Sequence, residues 1–466
     1  MKPSRGTGRW GPWVLAGIAA GLVLQARATT LVVDPSGSTP YTTIQSAIDA
    51  AVPGQDDVFV RCGYYPERIL MKDGVSVRGA GAPCTTIDGQ RHGGSVVRIP
   101  QLQGSIELSG FTVRGGSPSP GAYGVEMRSP GAPVITRNII EGNFASGIGV
   151  YPWSSGDGLV PVITQNVIRD NRECCTGGGI LLAGQSDALV TSNLIIGNSA
   201  DYGAGIYVAG KALIAHNTIV QNLTTGLGGG VWANGGSGTS PTLQDNVIAD
   251  NRAAVGGGVV SYLTQYIVLL GNDVVGNLPD NYLTWNGQDP TGQNGNVSID
   301  PVFVDMRANF FGFQLRSSSP LLEAGVAGAQ PPLDLAGLPR PLDGDADGVS
   351  ASDIGAREND GPTRLAPLPQ GDGFAWDPIG HGGRYDAFRG DLAVLQTTGV
   401  YTQDPDTVPG ARHFCDLQAP ALLDGEVPDP GQVLFYLAAA RGAVAGTLGY
   451  TSAAVERPRT MACTPP

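Results

Sequence analysis

A pair of asparagines separated by four residues recurs six times between residues 138 and 277. Successive first asparagines lie 24 to 29 residues apart, whereas the spacing within each pair is constant. A fixed inner spacing with a variable outer period indicates one structural unit stacked on itself, with loops absorbing the differences in length. The first members of the pairs are Asn138, Asn166, Asn193, Asn217, Asn246 and Asn272. The second members are Asn143, Asn171, Asn198, Asn222, Asn251 and Asn277.

Apolar residues occupy fixed positions around each pair, which stacked coils require because each coil covers the apolar face of its neighbour. We expect the asparagines to lie at bends, where side-chain amides aligned from coil to coil form a hydrogen-bonded ladder. Two residues after the first asparagine stand Ile140, Ile168, Ile195, Ile219, Ile248 and Val274. Three residues before it stand Ile135, Ile163, Val190, Ile214, Leu243 and Leu269.

The chain before the repeats predicts one short helix followed by short strands. Apolar residues at helical spacing indicate a helix from Thr42 to Ala51, with Thr42 and Gln45 as a capping box. Glycine-bounded apolar runs then predict strands at 58–60, 75–77, 96–99, 106–108 and 111–113.

Several motifs resemble the right-handed parallel β-helix superfamily, the pectin-lyase-like fold, over residues 30–358. The segments 43–51, 63–67 and 74–81 are similar to the first coils and capping helix of that family. The segments 300–301, 319–321, 334–340 and 353–356 resemble the terminal part of secreted bacterial β-helix proteins. The resemblance implies an all-β fold: a right-handed parallel β-helix solenoid with an N-terminal capping helix over residues 29–360.

Composition changes beyond residue 360. A proline-rich linker at 361–370 precedes a segment, 371–466, with short alternating strands, a Trp and a later Tyr. This segment resembles a fibronectin type III domain, which implies a small C-terminal β-sandwich.

Residues 1–28 have the pattern of a secretory signal peptide. Lys2, Arg5 and Arg9 precede an apolar stretch at 14–24, and the small residues at 26–28 suit cleavage. We therefore expect a secreted, cell-surface or periplasmic protein without a transmembrane segment in the mature chain. Disulfides are then expected between Cys62 and Cys84 and between Cys415 and Cys463, whereas the adjacent Cys174 and Cys175 either bridge or stay reduced.

The charge balance excludes one class of partner. The chain has 28 basic and 41 acidic residues and a net charge of −13, which argues against nucleic acid and anionic membranes. A polysaccharide or another cell-surface component is the partner that we expect.

Enzymes of the resembled fold use a calcium held by aspartates with an arginine base, or three clustered aspartates, and neither set is visible. The residues just before the first asparagines should point outward on neighbouring coils, so His216 and Asp245 form a candidate catalytic pair. The alternative is a surface hydrogen bond. Glu141 and Arg169 predict an ion pair between coils, whereas Asp170 and Asp250 are three coils apart, too far to share a metal.

Aromatic residues follow the glycine-rich turns and predict an exposed strip that can stack on sugar rings. The alternative is aromatic packing that seals the coil surface. The strip comprises Tyr151, Tyr207 and Trp232, with Trp153 and Tyr262 further along their own coils.

Alternating aspartates at 343–347 before a glycine are typical of calcium loops. They predict a structural calcium site, against a solvated acidic turn; its ligands would be Asp343, Asp345, Asp347 and Asp353.

Together these features predict an exported β-helix protein that binds a glycan or a surface, without an evident catalytic centre. A polysaccharide lyase or glycoside hydrolase is the first alternative. A structural spacer or adhesin is the second.

Overall fold

The structure is a computed structural model. It describes residues 29–91, 93–102, 105–117, 122–128, 131–151, 160–184, 186–235, 240–261, 267–304, 306, 308, 312–316, 318–326, 331–343, 349–359, 365–367, 373–376, 385–418, 421–424, 428 and 432–440.

Three parallel sheets run along a β-solenoid, and each coil contributes one strand to each sheet in turn. Sheet I contains Thr29–Val33, Asp56–Val60, Val77–Gly79, Glu107–Ser109, Val134–Thr136, Val162–Thr164, Leu189–Thr191, Leu213–Ala215, Thr242–Gln244 and Val268–Leu270. Sheet II contains Gly63–Tyr65, Thr85–Asp88, Thr112–Arg114, Ile139–Glu141, Val167–Arg169, Leu194–Ile196, Thr218–Val220, Val247–Ala249 and Asp273–Val275. Sheet III contains Ile69–Leu70, Val97–Ile99, Tyr123–Met127, Ser146–Val150, Ile180–Leu182, Ile206–Val208, Val231–Ala233, Val259–Ser261 and Tyr282–Thr284.

The asparagines form two continuous ladders, one at the bend between sheets I and II and one between sheets II and III. In the first ladder, both the backbone N–H and Nδ2 of Asn193 donate to Oδ1 of Asn217, each at 3.0 Å. The same pattern joins Asn198 to Asn222 in the second ladder. These side chains are buried, so the ladders satisfy polar groups that water cannot reach. The predicted ladder is confirmed.

The second ladder continues without a break to the last asparagine pair. Nδ2 of Asn222 donates to Oδ1 of Asn251, and Nδ2 of Asn251 donates to Oδ1 of Asn277, each at 2.9 Å. Asn251 has no exposed surface, and Asn277 is 4 % exposed because it lies near the end of the stack. Both residues therefore occupy the predicted ladder positions. The other rungs follow the same pattern, through Asn138, Asn166, Asn246 and Asn272 in the first ladder and Asn143 and Asn171 in the second.

A left-handed residue precedes each ladder asparagine and produces the bend. His216 has a φ of 52° and Asp250 a φ of 55°, in the region that L-residues adopt only as single residues. The positions before the first asparagines are Arg137, Gln165, Ser192, His216, Asp245 and Gly271. Those before the second are Gly142, Asp170, Gly197, Gln221, Asp250 and Gly276.

The two predicted apolar columns fill the solenoid interior. Ile140 and Ile219 have no exposed surface, and neither do Ile135 and Ile214. Leu269, in the last strand of sheet I, is 8 % exposed because fewer coils follow it. The apolar columns are therefore confirmed as core.

The first helix spans Ile44–Ala50 and buries Ile44, Ala47 and Ile48. The predicted capping box of Thr42 with Gln45 is wrong by one residue, because the N-cap is Thr43, whose side chain accepts from the N–H of Ser46. The carboxylate of Glu67 also accepts from the N–H groups of Ile44 and Gln45, at 2.8 and 3.0 Å. A negative charge at a helix N-terminus is stabilising there.

The chain after the last coil folds back along the outer face of sheet II. We call the described residues between 312 and 359 the strap. Phe313, Leu321 and Ile354 of the strap are buried in one apolar cluster with outward residues of sheet II, such as Val167 and Val247. The solenoid therefore has a second core outside its own coils.

Short antiparallel sheets form part of the chain beyond residue 364. One contains Leu365–Pro367, Gly373–Trp376 and Ala421–Leu423. The other contains Tyr385–Asp391, Arg412–Leu417 and Leu434–Ala440. A helix, Leu392–Thr398, lies between their strands in sequence and has Asp391 as its N-cap. The sequence did not predict this helix.

The cysteines follow the expected pattern where the structure describes them. A disulfide joins Cys62 and Cys84. Cys415 is disulfide-bonded, and its expected partner, Cys463, lies outside the described residues. Cys174 and Cys175 are free thiols.

Candidate functional site

The side chains before the first-ladder asparagines point outward, but the strap covers most of them. Gln165 donates from Nε2 to the carbonyl of Asp334 at 2.7 Å. Ser192 donates from Oγ to the carbonyl of Leu333 at 2.8 Å. Of this column, Arg137 is exposed. Most residues of this column therefore contact the strap and are not exposed to solvent.

His216 and Asp245 lie next to each other beneath the strap. Nε2 of His216 is 3.4 Å from Oδ2 of Asp245, and both side chains are fully buried. On its other side, Nδ1 of His216 lies 3.2 Å from Nη1 of Arg340. Nδ1 also lies 3.2 Å from the carbonyl oxygen of Asp353, so Asp245, Arg340 and Asp353 surround the buried ring.

Burial determines the charge state of this cluster. Burial, followed by the nearby Arg340 guanidinium, lowers the pKa of His216 to about 3, so the imidazole is neutral at pH 7. Burial raises the pKa of Asp245 to about 6, although the N–H of Val326 donates to its Oδ1 at 2.9 Å. Burial also raises the pKa of Glu358, the ion-pair partner of Arg340, to about 7.

This geometry corrects the expectation that the pair lies on the surface. The predicted proximity of His216 and Asp245 is present, but the strap removes both from solvent. A general base must reach its substrate, and the described residues leave no route to this imidazole. The contacts instead fix the strap, since the N–H of Gly355 also donates to the carbonyl of Asp245 at 2.9 Å.

The predicted aromatic strip is largely closed. Trp232 is only 8 % exposed, because the ring of Tyr202 lies 5.0 Å from it and the ring of Tyr207 lies 5.1 Å away on the adjacent coil. Tyr202 belongs to a two-stranded sheet, Ser199–Tyr202 with Leu223–Leu227, built from turns inserted between sheets II and III. The expectation of an exposed indole is therefore wrong, and these contacts are those of aromatic packing.

The register also displaces Tyr151 from the strip. Gly149, and not Tyr151, pairs with Leu181 in the column that continues to Tyr207 and Trp232. Glycine is needed there because a Cβ would lie 2.6 Å from the ring of Tyr123. Tyr151 is half-buried and contacts Tyr123 edge to face at 5.6 Å. Trp153 and Tyr262 lie outside the described residues.

One of the four predicted calcium ligands is part of the strap interior. Asp353 is buried, and its two oxygens accept from the N–H groups of Glu323 and Asn359, at 2.8 and 2.6 Å. Burial raises its pKa to about 6. Asp353 therefore shapes a turn of the strap, and its role as a ligand of a structural calcium stays a prediction. Asp343 is described, whereas Asp345 and Asp347 lie outside the described residues.

An open cleft lies at the bend between sheets II and III on the N-terminal coils. It has a volume of about 500 Å³. The ring of Tyr64, which is 50 % exposed, forms part of its wall. The remaining lining residues are Asp88, Gln90, Arg91, Arg114, Gly115, Glu141, Gly142 and Asp170.

Charged groups alternate along the cleft from coil to coil. Arg114 Nε lies 2.9 Å from Asp88 Oδ2, and Arg169 Nη2 lies 2.5 Å from Glu141 Oε2, which confirms the predicted ion pair. Asp170 has no ion-pair partner within the part of the chain that the structure describes. These four paired residues occupy the last position of successive strands of sheet II.

Sequence reasoning found part of this cleft. The ion pair between Glu141 and Arg169 was predicted, and the same column extended upstream would have added Asp88 and Arg114. The asparagine pattern begins only at residue 138, so the earlier coils were not aligned with it. The sequence around Tyr64 did not indicate that its ring is exposed, because this depends on which face of its short strand points inward.

A family model described as "Right handed beta helix region" matches residues 72–278. This region contains all six asparagine pairs. No curated protein matches the chain.

Several solved structures match the chain at low sequence identity. Pectate lyase Pel9A is 14 % identical, with a TM-score of 0.37, over 72 % of this chain and 96 % of that one. Pectin methylesterase from Aspergillus niger is 15 % identical, with a TM-score of 0.29, over 59 % of this chain and 93 % of that one. Pectin methylesterase PemA from Erwinia chrysanthemi is 11 % identical, with a TM-score of 0.30, over 56 % of this chain and 84 % of that one. At these TM-scores the likenesses carry no argument about the function of this chain.

A further cluster lies on the bend between sheets II and III and begins three residues after Asp170 of the cleft. Sγ of Cys174 is 2.7 Å from Sγ of Cys175 and 3.0 Å from Oε1 of Glu173. Hydrogen bonds with Cys175 and Glu173 raise the pKa of the Cys174 thiol to about 12.

Within the described residues, no helix has the length and apolar character needed to cross a membrane.

Proposed function

We propose that the protein binds a glycan, or a surface that displays glycans, through the cleft at the bend between sheets II and III. The observation that supports this proposal most directly is the half-exposed ring of Tyr64 beside arginines and carboxylates from successive coils. An aromatic face with a few convergent polar groups is a common form of ligand site.

The chemistry of the lining suits sugar hydroxyl groups. The ring of Tyr64 has an apolar face that can stack on a pyranose ring. Arg91 and Arg114 supply several N–H donors in a planar arrangement, and Glu141 and Asp170 supply acceptors. Together with the neighbouring Arg169, the cleft carries three cations and three carboxylates, a balance that favours a polar ligand over a highly charged one.

The cleft extends over several coils and so favours a chain of sugars over a single one. Its residues come from five successive strands of sheet II, from Gly63–Tyr65 to Val167–Arg169, or from the bends after them. At about 4.8 Å per strand this distance is roughly 19 Å. The cation–π contact of Arg91 with Phe144, at 4.2 Å, holds one of the donors in place.

Binding without catalysis is the interpretation that we favour. The only histidine–carboxylate pair that the sequence predicted is covered by the strap, and the carboxylates Asp88 and Glu141 of the cleft are held in ion pairs. The alternative functions, a polysaccharide lyase or hydrolase and a structural spacer, are outcomes of the same experiment.

A glycan array with purified protein tests the proposal. We expect binding to a subset of polysaccharides, weakened at least tenfold in Tyr64→Ala and Arg114→Ala. Arg78→Ala, which removes an exposed arginine on sheet I, is the matched control and should bind normally. New reducing or unsaturated ends would identify an enzyme instead, and a protein that binds no glycan would be a spacer.

We further propose that the protein acts outside the cytoplasm, with residues 1–28 removed during export. The disulfide between Cys62 and Cys84 supports this location, because disulfides persist in oxidising compartments. N-terminal sequencing of protein recovered outside the cytoplasm should begin near Thr29. A start at Met1 would contradict the proposal.

A further inference from the structure

The two free thiols occupy an unusually open position on the solenoid. Strand Ser146–Val150 begins three residues after Asn143, whereas strand Ile180–Leu182 begins nine residues after Asn171. The additional residues form a turn that protrudes from the bend, and the preceding coil has no turn long enough to cover it. Cys174 and Cys175 are consequently exposed.

The backbone on both sides of the thiols is held by the next coil. The N–H of Glu173 donates to the carbonyl of Ser199, and the N–H of Tyr202 donates to the carbonyl of Cys175, both at 2.9 Å. The turn is therefore fixed at two points, and the two thiol side chains on it are exposed.

The carboxylate of Glu173 is fixed against the thiols. Its Oε1 accepts from the N–H of Cys174 at 2.9 Å, and its Oε2 accepts from the N–H of Ser146 at 3.1 Å. Two sulfur atoms and one carboxylate oxygen thus lie within 4.8 Å of one another. No other group of three such ligands is found among the described residues.

We propose that Glu173, Cys174 and Cys175 form a binding site for a thiophilic divalent cation such as Zn²⁺ or Cd²⁺. Thiolate sulfur selects soft or borderline metals, and two sulfurs with one carboxylate leave a fourth tetrahedral position for water. Binding replaces the two thiol protons, which are released to solvent, and it changes no oxidation state.

The bound geometry requires only a small rearrangement. With metal–sulfur distances of about 2.3 Å, two ligands of a tetrahedral ion lie about 3.8 Å apart. The sulfur atoms are now 2.7 Å apart, so they must separate by about 1 Å. Rotation of two exposed side chains achieves this without moving the hydrogen-bonded backbone.

Titration of the chelator-treated full-length protein with Cd²⁺, with the Cys62–Cys84 and Cys415 disulfides intact and Cys174 and Cys175 as thiols, tests the site. Thiolate ligation produces an ultraviolet charge-transfer band, and we expect it to saturate at one Cd²⁺ per chain. Cys174→Ser and Cys175→Ser should each abolish the two-thiolate band. Glu173→Gln should retain the band but weaken the affinity about tenfold.

Asp201→Asn is the matched control, because Asp201 is an exposed acid in the turn of the next coil. This variant should bind Cd²⁺ as the wild type does, and circular dichroism should show that all variants are folded. The proposal is overturned if wild-type protein with intact disulfides, and with Cys174 and Cys175 both reactive to a thiol reagent, gives no band. It is also overturned if the band persists in the double cysteine variant.

Discussion

Nε2 of His216 lies 3.4 Å from Oδ2 of Asp245, and neither side chain has any surface exposed to solvent. The two residues occupy equivalent positions on adjacent coils, both with left-handed backbone. On a bare solenoid they would form an accessible pair. The strap turns them into an internal contact, so the two residues belong to the packed interior and not to an open site.

Replacing His216 by alanine should loosen the strap. Nη1 of Arg340 keeps Glu358 and the carbonyl of Asp353 as acceptors, but the variant removes a fully buried ring beneath the strap, and the cavity left by truncating a buried side chain to alanine costs about 2–5 kcal/mol. Hydrogen exchange should become faster at 321–326 and 349–359 while the asparagine ladders stay protected. His413→Ala, which alters a histidine in the C-terminal sheets, is the control; equal effects on the strap would contradict the assignment.

Asp273 should make stability depend on pH. Burial raises its pKa to about 7, and its Oδ2 is buried without a hydrogen-bond partner among the described residues. The unfolded state loses this proton near pH 4, so the free energy of unfolding should fall as pH rises from about 4 to 7. The expected loss is on the order of 4 kcal/mol and is complete above pH 7.

Asp273→Asn removes that titration. The advantage of the variant over the wild type should therefore grow between pH 4 and pH 7 and then stay constant. Urea unfolding at several pH values measures this directly. Parallel stability curves for the two proteins would show that the Asp273 carboxyl is not held in the protonated form.

Replacing an asparagine in the middle of a ladder should lower the free energy of unfolding strongly. Asn217→Ala removes the shared acceptor of the backbone N–H and Nδ2 of Asn193, and the donor to the carbonyl of Val190. Several buried groups then lack partners, so we expect a loss of more than about 3 kcal/mol in urea unfolding. Asn286→Ala, at an exposed position, should change stability by less than about 0.5 kcal/mol. Equal losses would contradict a structural ladder.

The repeat pattern determined most of the solenoid in advance. Constant spacing within the asparagine pairs gave the two bends, and the apolar columns gave the core, because both depend on local sequence. The pattern did not reveal Asn296 and Asn281, which extend the ladders beyond Asn272 and Asn277 but lie outside the paired spacing.

The outer surface was less predictable, because long-range packing decides it. Nothing in the sequence near His216 indicates that Arg340 and Asp353 fold back onto it from more than a hundred residues away. Trp232 points away from the core as expected, but the inserted turn that carries Tyr202 then covers it. Equivalent positions on successive coils predict whether a side chain points inward or outward. They do not predict which distant segment packs against it.

Trp232 should contribute to stability and not to ligand binding. Trp232→Ala should cost about 3–5 kcal/mol, because it removes a buried ring that contacts Tyr202 and Tyr207. Trp232→Phe should cost much less, since the indole Nε1 has no hydrogen-bond partner among the described residues. Glycan binding by the folded Phe variant should equal that of the wild type. If the folded Phe variant lost glycan binding without losing stability, the aromatic strip would be the glycan-binding surface after all.

A crystal structure with a bound oligosaccharide tests the central claim most directly. We predict sugar density in the cleft, with one ring against Tyr64 and hydroxyl groups within hydrogen-bond distance of Arg114 and Asp170. Density over Trp232 and Tyr207 instead, or a displaced strap that exposes His216 to the ligand, would contradict the account.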